Sequence, residues 1–421
     1  MTIIELMVSL LVGSLLVIAV FIVMSTFEGR RRTIGSGADL DQSGSVAMYQ
    51  IDQWVRSAGS GLSQGYTSSS AGIGPYAFGC PLYAATTAAG QILPAPSALP
   101  APFNTVNPGS AGVFRLAPAL ILPGQTAPGA SVAGMPSATS DVLVLMASGN
   151  NLAQVPSVFS ATAAATQLNL VNTIAFAPLD LVLLLDQQGA AGGLLAPCMV
   201  TQVASNVTAS TVASPVTALP LGGGSASWYA ATIGTAAVTN YSSSGVAMDL
   251  GNPSPGGAAV TRSPPSFQLV GVGNNDTLFS YDLLNVAGSA GQVQARAQNV
   301  FELHALYGVQ AAAGTGSGCV VDTWVNPTTT TTFTLAALSA GTPAAASLIK
   351  RICALRVGLI LRAALPERTT VKETPTLTLF ANFPPESPDP ALLHTRALAS
   401  GEQIYRYRTV EATIPVRNNN F

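Results

Sequence analysis

One acidic residue, Glu5, lies in an apolar stretch. It is the single charged side chain among the first 24 residues, MTIIELMVSLLVGSLLVIAVFIVM. A lone ionised carboxylate in a membrane helix costs on the order of 3 kcal/mol by insertion scales, so its presence needs an explanation. Glu5 lies roughly 6 Å from the start of a helix, where it could reach the membrane interface.

Ion pairing between copies of the chain is the more specific explanation for Glu5. If Met1 is the terminus of a processed chain, its α-amine is protonated near neutral pH. The amine of one copy would then pair with Glu5 of a neighbour when the helices pack side by side. Such a pair would set the axial register between subunits, as a buried polar group does in a coiled coil.

The other polar residues give weaker signals for chemistry. The sequence contains no GxSxG, Walker A or HExxH pattern, and its two histidines, His304 and His394, are interpreted as structural or surface residues. Oxygen donors are grouped in one stretch: Asn274, Asn275, Asp276 and Asp282. They lack the regular spacing of a calcium loop, so a turn is favoured over a calcium site. We therefore predict no enzymatic activity, no cofactor and no metal.

The cysteines indicate disulfides. There are four: Cys80, Cys198, Cys319 and Cys353. None is in CxxC spacing, which argues against a zinc site, and an even count in an exported chain favours disulfides. Three pairings are possible. We favour Cys319–Cys353 together with Cys80–Cys198, and buried free thiols are the alternative.

The composition excludes some partners. The 421 residues are 48% hydrophobic and only 9% charged, and the formal net charge is -2, so no nucleic-acid partner is expected. So little charge suits an extracellular surface, or subunits that cover one another. The 40 Gly and 29 Pro indicate many turns rather than a helical bundle.

Hydrophobic spacing predicts one long N-terminal helix in two parts. Residues 1–28 form a membrane or filament-core helix, because 24 residues span roughly 36 Å and a hydrocarbon core is about 30 Å thick. Residues 29–62 continue it as an amphipathic helix that ends near residue 59, weakened by Gly44 among other glycines. Its apolar residues recur at helical spacing: Leu40, Ala47, Ile51, Trp54, Val55 and Ala58. A separate surface helix after a linker at 29–37 is the alternative.

The remainder, residues 63–421, is predicted to be a β-rich head. Runs rich in Val, Leu or Thr, separated by Gly, Pro, Asn and Ser, predict strands: 140–149, 179–188, 198–205, 276–284, 299–310, 352–365, 376–382 and 405–418. The stretch from 63 to 140 is interpreted as long ordered loops with short strands.

The basic residues are unevenly distributed. Ten of the 17 Lys and Arg fall in residues 350–421. That end of the chain is therefore expected to form the most solvent-exposed sheet.

The N-terminal stretch TIIELMVSLLVGSLL resembles type IV pilins after prepilin peptidase has removed a short basic leader. The resemblance rests on Glu5, the apolar run and Gly13. It implies an N-methylated Met1 and a helix that anchors the subunit in the inner membrane and later packs into a filament. Many pilins have Pro near position 22, where this chain has Ile22, so melting of the helix would rest on Gly13 and Ser14.

Later motifs resemble the PilW-like minor pilins. These are VRSAGSGL at the end of the helix, then SDVLVL, LDLVLLLDQQGA, CMVTQV, ELHALYGV, DTWV and RICALRVGLILRA. The resemblance covers most of the chain loosely. Two regions, about 83–135 and 206–265, look like insertions in the family pattern.

Taken together, the sequence is interpreted as an α+β pilin, with a long N-terminal helix that supports an enlarged, β-rich globular head with long Gly/Pro/Ser-rich loops. It is a structural subunit of a type IV pilus or related filament, with a shaft subunit slightly favoured over a minor or tip subunit. Alternatives are a type II secretion pseudopilin and a membrane-anchored surface adhesin. The implied partners are further copies, other pilins, prepilin peptidase and the assembly machinery. The implied location is the bacterial inner membrane, then the extracellular pilus.

Overall fold

A computed structural model gives the fold of this chain. It describes all residues except 1, 63–77, 88–89, 97, 127–138, 150–155, 187–193, 208–215, 223–227, 242, 244, 254–262, 285–292, 312–318, 368–370, 372–374, 382–388 and 417–421, and the side chains of 26, 28–30, 32 and 33.

The described residues form one long helix, two short helices and many strands. The helices are α1 (Ile3–Ser57), α2 (Leu335–Leu338) and α3 (Pro343–Lys350). The strands are β1 (Leu82–Thr86), β2 (Gly90–Leu93), β3 (Ala119–Thr126), β4 (Ser140–Ala147), β5 (Ser157–Val158), β6 (Gln167–Asn169), β7 (Leu181–Asp186), β8 (Cys198–Gln202), β9 (Ala218–Pro220), β10 (Thr232–Ile233), β11 (Ala236–Ala237), β12 (Gly245–Gly251), β13 (Ser266–Gly273), β14 (Thr277–Asp282), β15 (Gln294–Ala297), β16 (Val300–Val309), β17 (Thr323–Val325), β18 (Ile352–Arg362), β19 (Thr376–Leu379), β20 (His394–Ala397) and β21 (Tyr407–Pro415).

Among the described residues, three larger sheets build most of the head, and the antiparallel pairs β6-β9, β10-β11 and β19-β20 form smaller two-stranded sheets. The strand orders of the three larger sheets are β2-β1-β8-β7-β12-β5, β15-β14-β13-β4-β3 and β17-β16-β18-β21. Pairing within them is antiparallel, with β1 and β8 as the parallel pair among the described strands. An apolar helix joined to a mostly β body confirms the predicted α+β class, and every strand-like run identified from the sequence coincides with a strand.

The second half of α1 packs on the head. Its buried residues follow the helical spacing expected from the sequence: Leu40, Ala47, Ile51, Val55 and Ala58. The helix runs through 29–37 without a break, so the alternative of a linker there is wrong.

Gly44 has a packing role that the sequence analysis missed. A Cβ at this position would lie 2.5 Å from Leu361 Cδ1 and 3.3 Å from Val410 Cγ2. The glycine therefore lets α1 approach β18 and β21 closely, which offsets its low helix propensity.

The apolar stripe of α1 should stabilise the head. Ile51 is fully buried in the core, whereas Val46 on the same helix is 42% exposed. Ile51→Ala is expected to lower the free energy of unfolding by about 3 kcal/mol, because it removes buried methylenes and leaves a cavity. Urea unfolding of the detergent-solubilised full chain measures this. The matched control Val46→Ala should change stability by less than about 0.5 kcal/mol, and equal effects of the two variants would contradict the packing described.

The β16–β18 pair has one apolar core layer on each of its two faces. Leu303, Ala305 and Tyr307 of β16 face the main core, whereas Leu306 faces a smaller cluster beneath the β19–β20 hairpin. All ten residues of β16 are buried. The expectation that the basic end forms the most exposed sheet is wrong for β18, whose residues are buried apart from the half-buried Arg356. β16 and β18 are covered on one face by the core and on the other by the hairpin, whereas the residues of β21 are half-buried or exposed apart from Ile414.

Candidate functional site: the exposed apolar helix

The first part of α1 is an exposed apolar surface. Ile3–Ser25 is a 23-residue segment with no buried residue, and its length and composition suffice to cross a membrane. Its large exposed side chains include Ile3, Leu10, Leu15, Phe21 and Met24. A continuous apolar surface of this size requires a lipid or protein environment.

Glu5 has a partner within its own helix. Its Oε2 accepts a hydrogen bond of 3.0 Å from the Thr2 backbone N–H. A carboxylate here satisfies one of the free N–H groups of the helix start and lies at the positive end of the helix dipole. The sequence analysis missed this cap, although Thr2-x-x-Glu5 has the spacing of a capping box. Met1, the proposed partner in a neighbouring copy, lies outside the described residues.

The two residues at which the helix was predicted to melt in a filament, Gly13 and Ser14, are helical in this structure. Gly13 has no neighbouring atom within 4 Å of an added Cβ, and the Ser14 hydroxyl donates a 2.9 Å hydrogen bond to the Leu11 carbonyl. Neither residue is held by contacts with the head. Melting at Gly13 and Ser14 in a filament remains a prediction.

The cysteines form the two bridges favoured from the sequence. Cys80 bonds to Cys198 and Cys319 bonds to Cys353. Cys198 begins β8, and Cys80 lies two residues before β1, the parallel neighbour of β8. This bridge fixes two parts of the chain that are 118 residues apart.

The stretch considered for calcium forms a turn tied by an arginine. Asn275 and Asp276 have positive φ angles of 61° and 50°. Arg362 donates to both carboxylate oxygens of Asp276, at 2.7 and 2.9 Å. Asp282 lies at the other end of β14, where its Oδ1 accepts from the Leu284 N–H at 3.0 Å. The turn interpretation therefore describes this stretch.

Both histidines belong to a buried polar cluster that sequence reasoning did not predict. The rings of His304 and His394 stack, with centroids 3.6 Å apart and planes inclined by 25°. Glu302 Oε2 lies 3.2 Å from His304 Nε2 and 3.5 Å from His394 Nε2. Glu302 is 1% exposed. The cluster lies between β16 and β20, on the hairpin side of the sheet.

Charged neighbours extend the cluster in both directions. Asp141 Oδ2 lies 3.6 Å from His304 Nδ1 and accepts the Ala305 N–H at 3.0 Å. On the other side, Arg396 Nε lies 3.3 Å from Glu302 Oε1, and its Nη2 donates to Glu402 Oε1 at 2.9 Å. Positive and negative groups thus alternate across the hairpin contact.

Neighbouring charged groups shift the pKa values of Glu302 and His304. Burial raises the pKa of the Glu302 carboxyl, but the two histidines and Arg396 outweigh it and hold this pKa at about 2. Burial lowers the pKa of His304, but Asp141 and Glu302 outweigh it and raise this pKa to about 9. Glu302 is therefore an anion at neutral pH, and His304 carries a proton as part of an ion pair.

Comparisons with known proteins identify the C-terminal part of the chain. Residues 270–418 match the family model described as Type IV Pilus-assembly protein W. The match spans β14 to β21 and includes the histidine cluster, whereas α1 lies outside it. No curated protein and no solved structure matches the chain. A type IV pilus relationship together with an apolar helix indicates a membrane-associated or surface location. The match confirms the resemblance drawn from the sequence: residues 270–418 are similar to the PilW family of type IV pilus-assembly proteins.

Proposed function

We propose that this chain is a structural subunit of a type IV pilus or related filament and that it polymerises through the first part of α1. The observation that carries the proposal is the 23-residue segment Ile3–Ser25, apolar and wholly exposed, on a chain related to pilus assembly proteins. A second copy of the same surface can cover it by helix packing. The role is structural, with no catalytic step.

The proposal assigns two environments to α1. Before assembly, Ile3–Ser25 anchors the subunit in the bacterial inner membrane. After assembly, the same residues pack against further copies or other pilins inside an extracellular pilus. Prepilin peptidase would expose and methylate the amine of Met1, and this amine would pair with Glu5 of a neighbour.

The subunit could occupy either of two places in the filament, the shaft or the tip. A shaft subunit, slightly favoured from the sequence, would be the main protein of the pilus. A minor subunit that initiates or tips the filament would be present in few copies, and the family description as a pilus-assembly protein supports this place. A type II secretion pseudopilin would carry a similar helix, but the family match supports the pilus.

Replacement of the apolar segment tests the proposal. We expect deletion of the gene to reduce the number of surface pili seen by electron microscopy, and the full chain to restore it. A chain in which residues 3–25 are exchanged for an unrelated membrane-spanning helix of equal length should reach the membrane but fail to restore pili. Restoration by the exchanged helix would instead indicate that the segment is only an anchor, as in a membrane-anchored adhesin.

A further inference from the structure

We propose that Glu302, His304 and His394 form a binding site for a zinc-class divalent cation that joins the β19–β20 hairpin to β16. Each residue offers one ligand atom, and these atoms all lie within 4.8 Å of one another. Two imidazole nitrogens and one carboxylate oxygen are a donor set that zinc uses in proteins. The filament role proposed above does not involve these residues.

The spacing of the ligand atoms suits a tetrahedral ion. With zinc bonds of about 2.0–2.1 Å, neighbouring ligand atoms lie about 3.3 Å apart. The distances from Glu302 Oε2 to the two Nε2 atoms are 3.2 and 3.5 Å. Charge-assisted hydrogen bonds between nitrogen and oxygen are shorter, at about 2.7–2.9 Å. The spacing therefore fits ligands arranged around an ion better than a closed ion pair.

The hydrogen bonding of the cluster leaves ligand atoms unused. Among the described residues, buried His394 Nε2 makes no close hydrogen bond, and its contact with Glu302 Oε2 is long, at 3.5 Å. Glu302 contacts three neighbours, since Oε1 faces Arg396 while Oε2 faces both histidines. A buried polar atom without a close partner carries a free-energy cost. An ion bound at Oε2 would engage the His394 nitrogen and remove that cost.

A second carboxylate faces the His304 ring. Asp141 Oδ2 lies 3.6 Å from His304 Nδ1, the nitrogen that points away from Glu302. Asp141 is itself held, since its Oδ1 accepts the Gly124 N–H at 2.9 Å and its Oδ2 accepts the Ala305 N–H. A carboxylate behind a ligating histidine is the usual arrangement that fixes the ring and raises its basicity.

The charges of the cluster favour a divalent cation. Its carboxylates are Asp141, Glu302 and Glu402, and its permanent cation is Arg396. With both histidines neutral, the cluster carries two uncompensated negative charges. A divalent ion balances these two charges.

The His394 ring must turn for both histidines to bind one ion. The two rings are now nearly parallel, so their Nε2 lone pairs do not converge. His394 is free to adjust, because its side chain is 27% exposed and it begins the short strand β20. The exposed edge of His394 also provides the path by which an ion enters.

Zinc titration of the full-length chain in detergent tests the site. The protein should be purified without a histidine tag, because a tag would bind zinc, whereas the chain itself contains two histidines. Isothermal titration calorimetry should give one zinc ion per chain and no binding of Mg²⁺, which prefers oxygen ligands. His394→Asn should weaken zinc binding by at least about tenfold. Glu367→Gln, which alters a carboxylate paired with Arg406 elsewhere in the head, should leave it unchanged.

Two results would overturn the site. They are no zinc binding by the wild-type chain, and a loss of less than tenfold in His394→Asn. X-ray absorption of the zinc-loaded wild-type protein provides a test that does not depend on a variant. It should show nitrogen and oxygen ligands including two imidazoles, and a spectrum with one imidazole or none would refute the assignment.

Discussion

Glu5→Ala and Glu5→Gln should both reach the membrane, keep a normally folded head and enter filaments poorly. Glu5 is exposed and remote from the head, so neither change should alter head stability. In the proposed filament, loss of the carboxylate leaves a neighbour's Met1 amine unpaired in an apolar core. Breaking one side of a buried ion pair typically costs about 3–5 kcal/mol. The measurement is the ratio of filament-borne to membrane-borne protein for each variant.

The two Glu5 variants separate ion pairing from helix capping. The side chain of Gln can still accept the Thr2 N–H that Glu5 now accepts, whereas Ala cannot. Pairing between subunits predicts that both variants fail, while capping alone predicts that Glu5→Gln assembles as the wild type does. Ser45→Ala is the matched control, because Ser45 is an exposed residue of α1 outside Ile3–Ser25 and its hydroxyl donates to the Asp41 carbonyl of its own helix. Its ratio should equal that of the wild type.

Removal of the Cys80–Cys198 bridge should cost the head about 4–5 kcal/mol of stability. The bridge closes a separation of 118 residues, against 34 for Cys319–Cys353. The entropy that a crosslink removes from the unfolded chain grows with the logarithm of loop length, so the shorter bridge should contribute about 3–4 kcal/mol. Urea unfolding of the two double Cys→Ala variants measures both values. The reverse order of stability would contradict this account of the bridges.

Much of the fold follows from local sequence patterns. The helix was predictable because Ile51, Val55 and Ala58 recur at helical spacing after a continuous apolar run. Runs such as SDVLVLMA and ICALRVGLILR predicted β4 and β18, since strands buried on both faces are continuously apolar.

Other strands could not be predicted from local patterns. β3 contains Pro123 and Gly124 and lies in a stretch interpreted as loops, yet it pairs with β4. β12 lies in a region that looked like an insertion, yet it pairs with β7 in the six-stranded sheet. These pairings depend on partners far along the chain, which a reading of short windows does not detect.

Glu5 and the histidine cluster likewise differ in how far they can be predicted from local sequence. Glu5 could be identified because a charge in an apolar run is visible in a short window, and the Thr2 cap has a recognised spacing. The histidine cluster combines Asp141, Glu302 and His394 from three distant segments. Arg396 lies in the basic end of the chain, which was expected to be exposed, but it pairs with buried carboxylates. Such a cluster depends on how β4, β16 and the hairpin pack together.

Quantitative mass spectrometry of sheared surface filaments tests the central claim most directly. Filaments sheared from wild-type cells are separated from membranes, and peptides of the head are quantified in both fractions. We predict that full-length chains with α1 are present in the filament fraction, as its main protein for a shaft subunit or in a few copies per filament for a minor subunit. A chain confined to the membrane fraction, while other pilins appear in the filaments, would contradict the proposal that α1 enters the pilus.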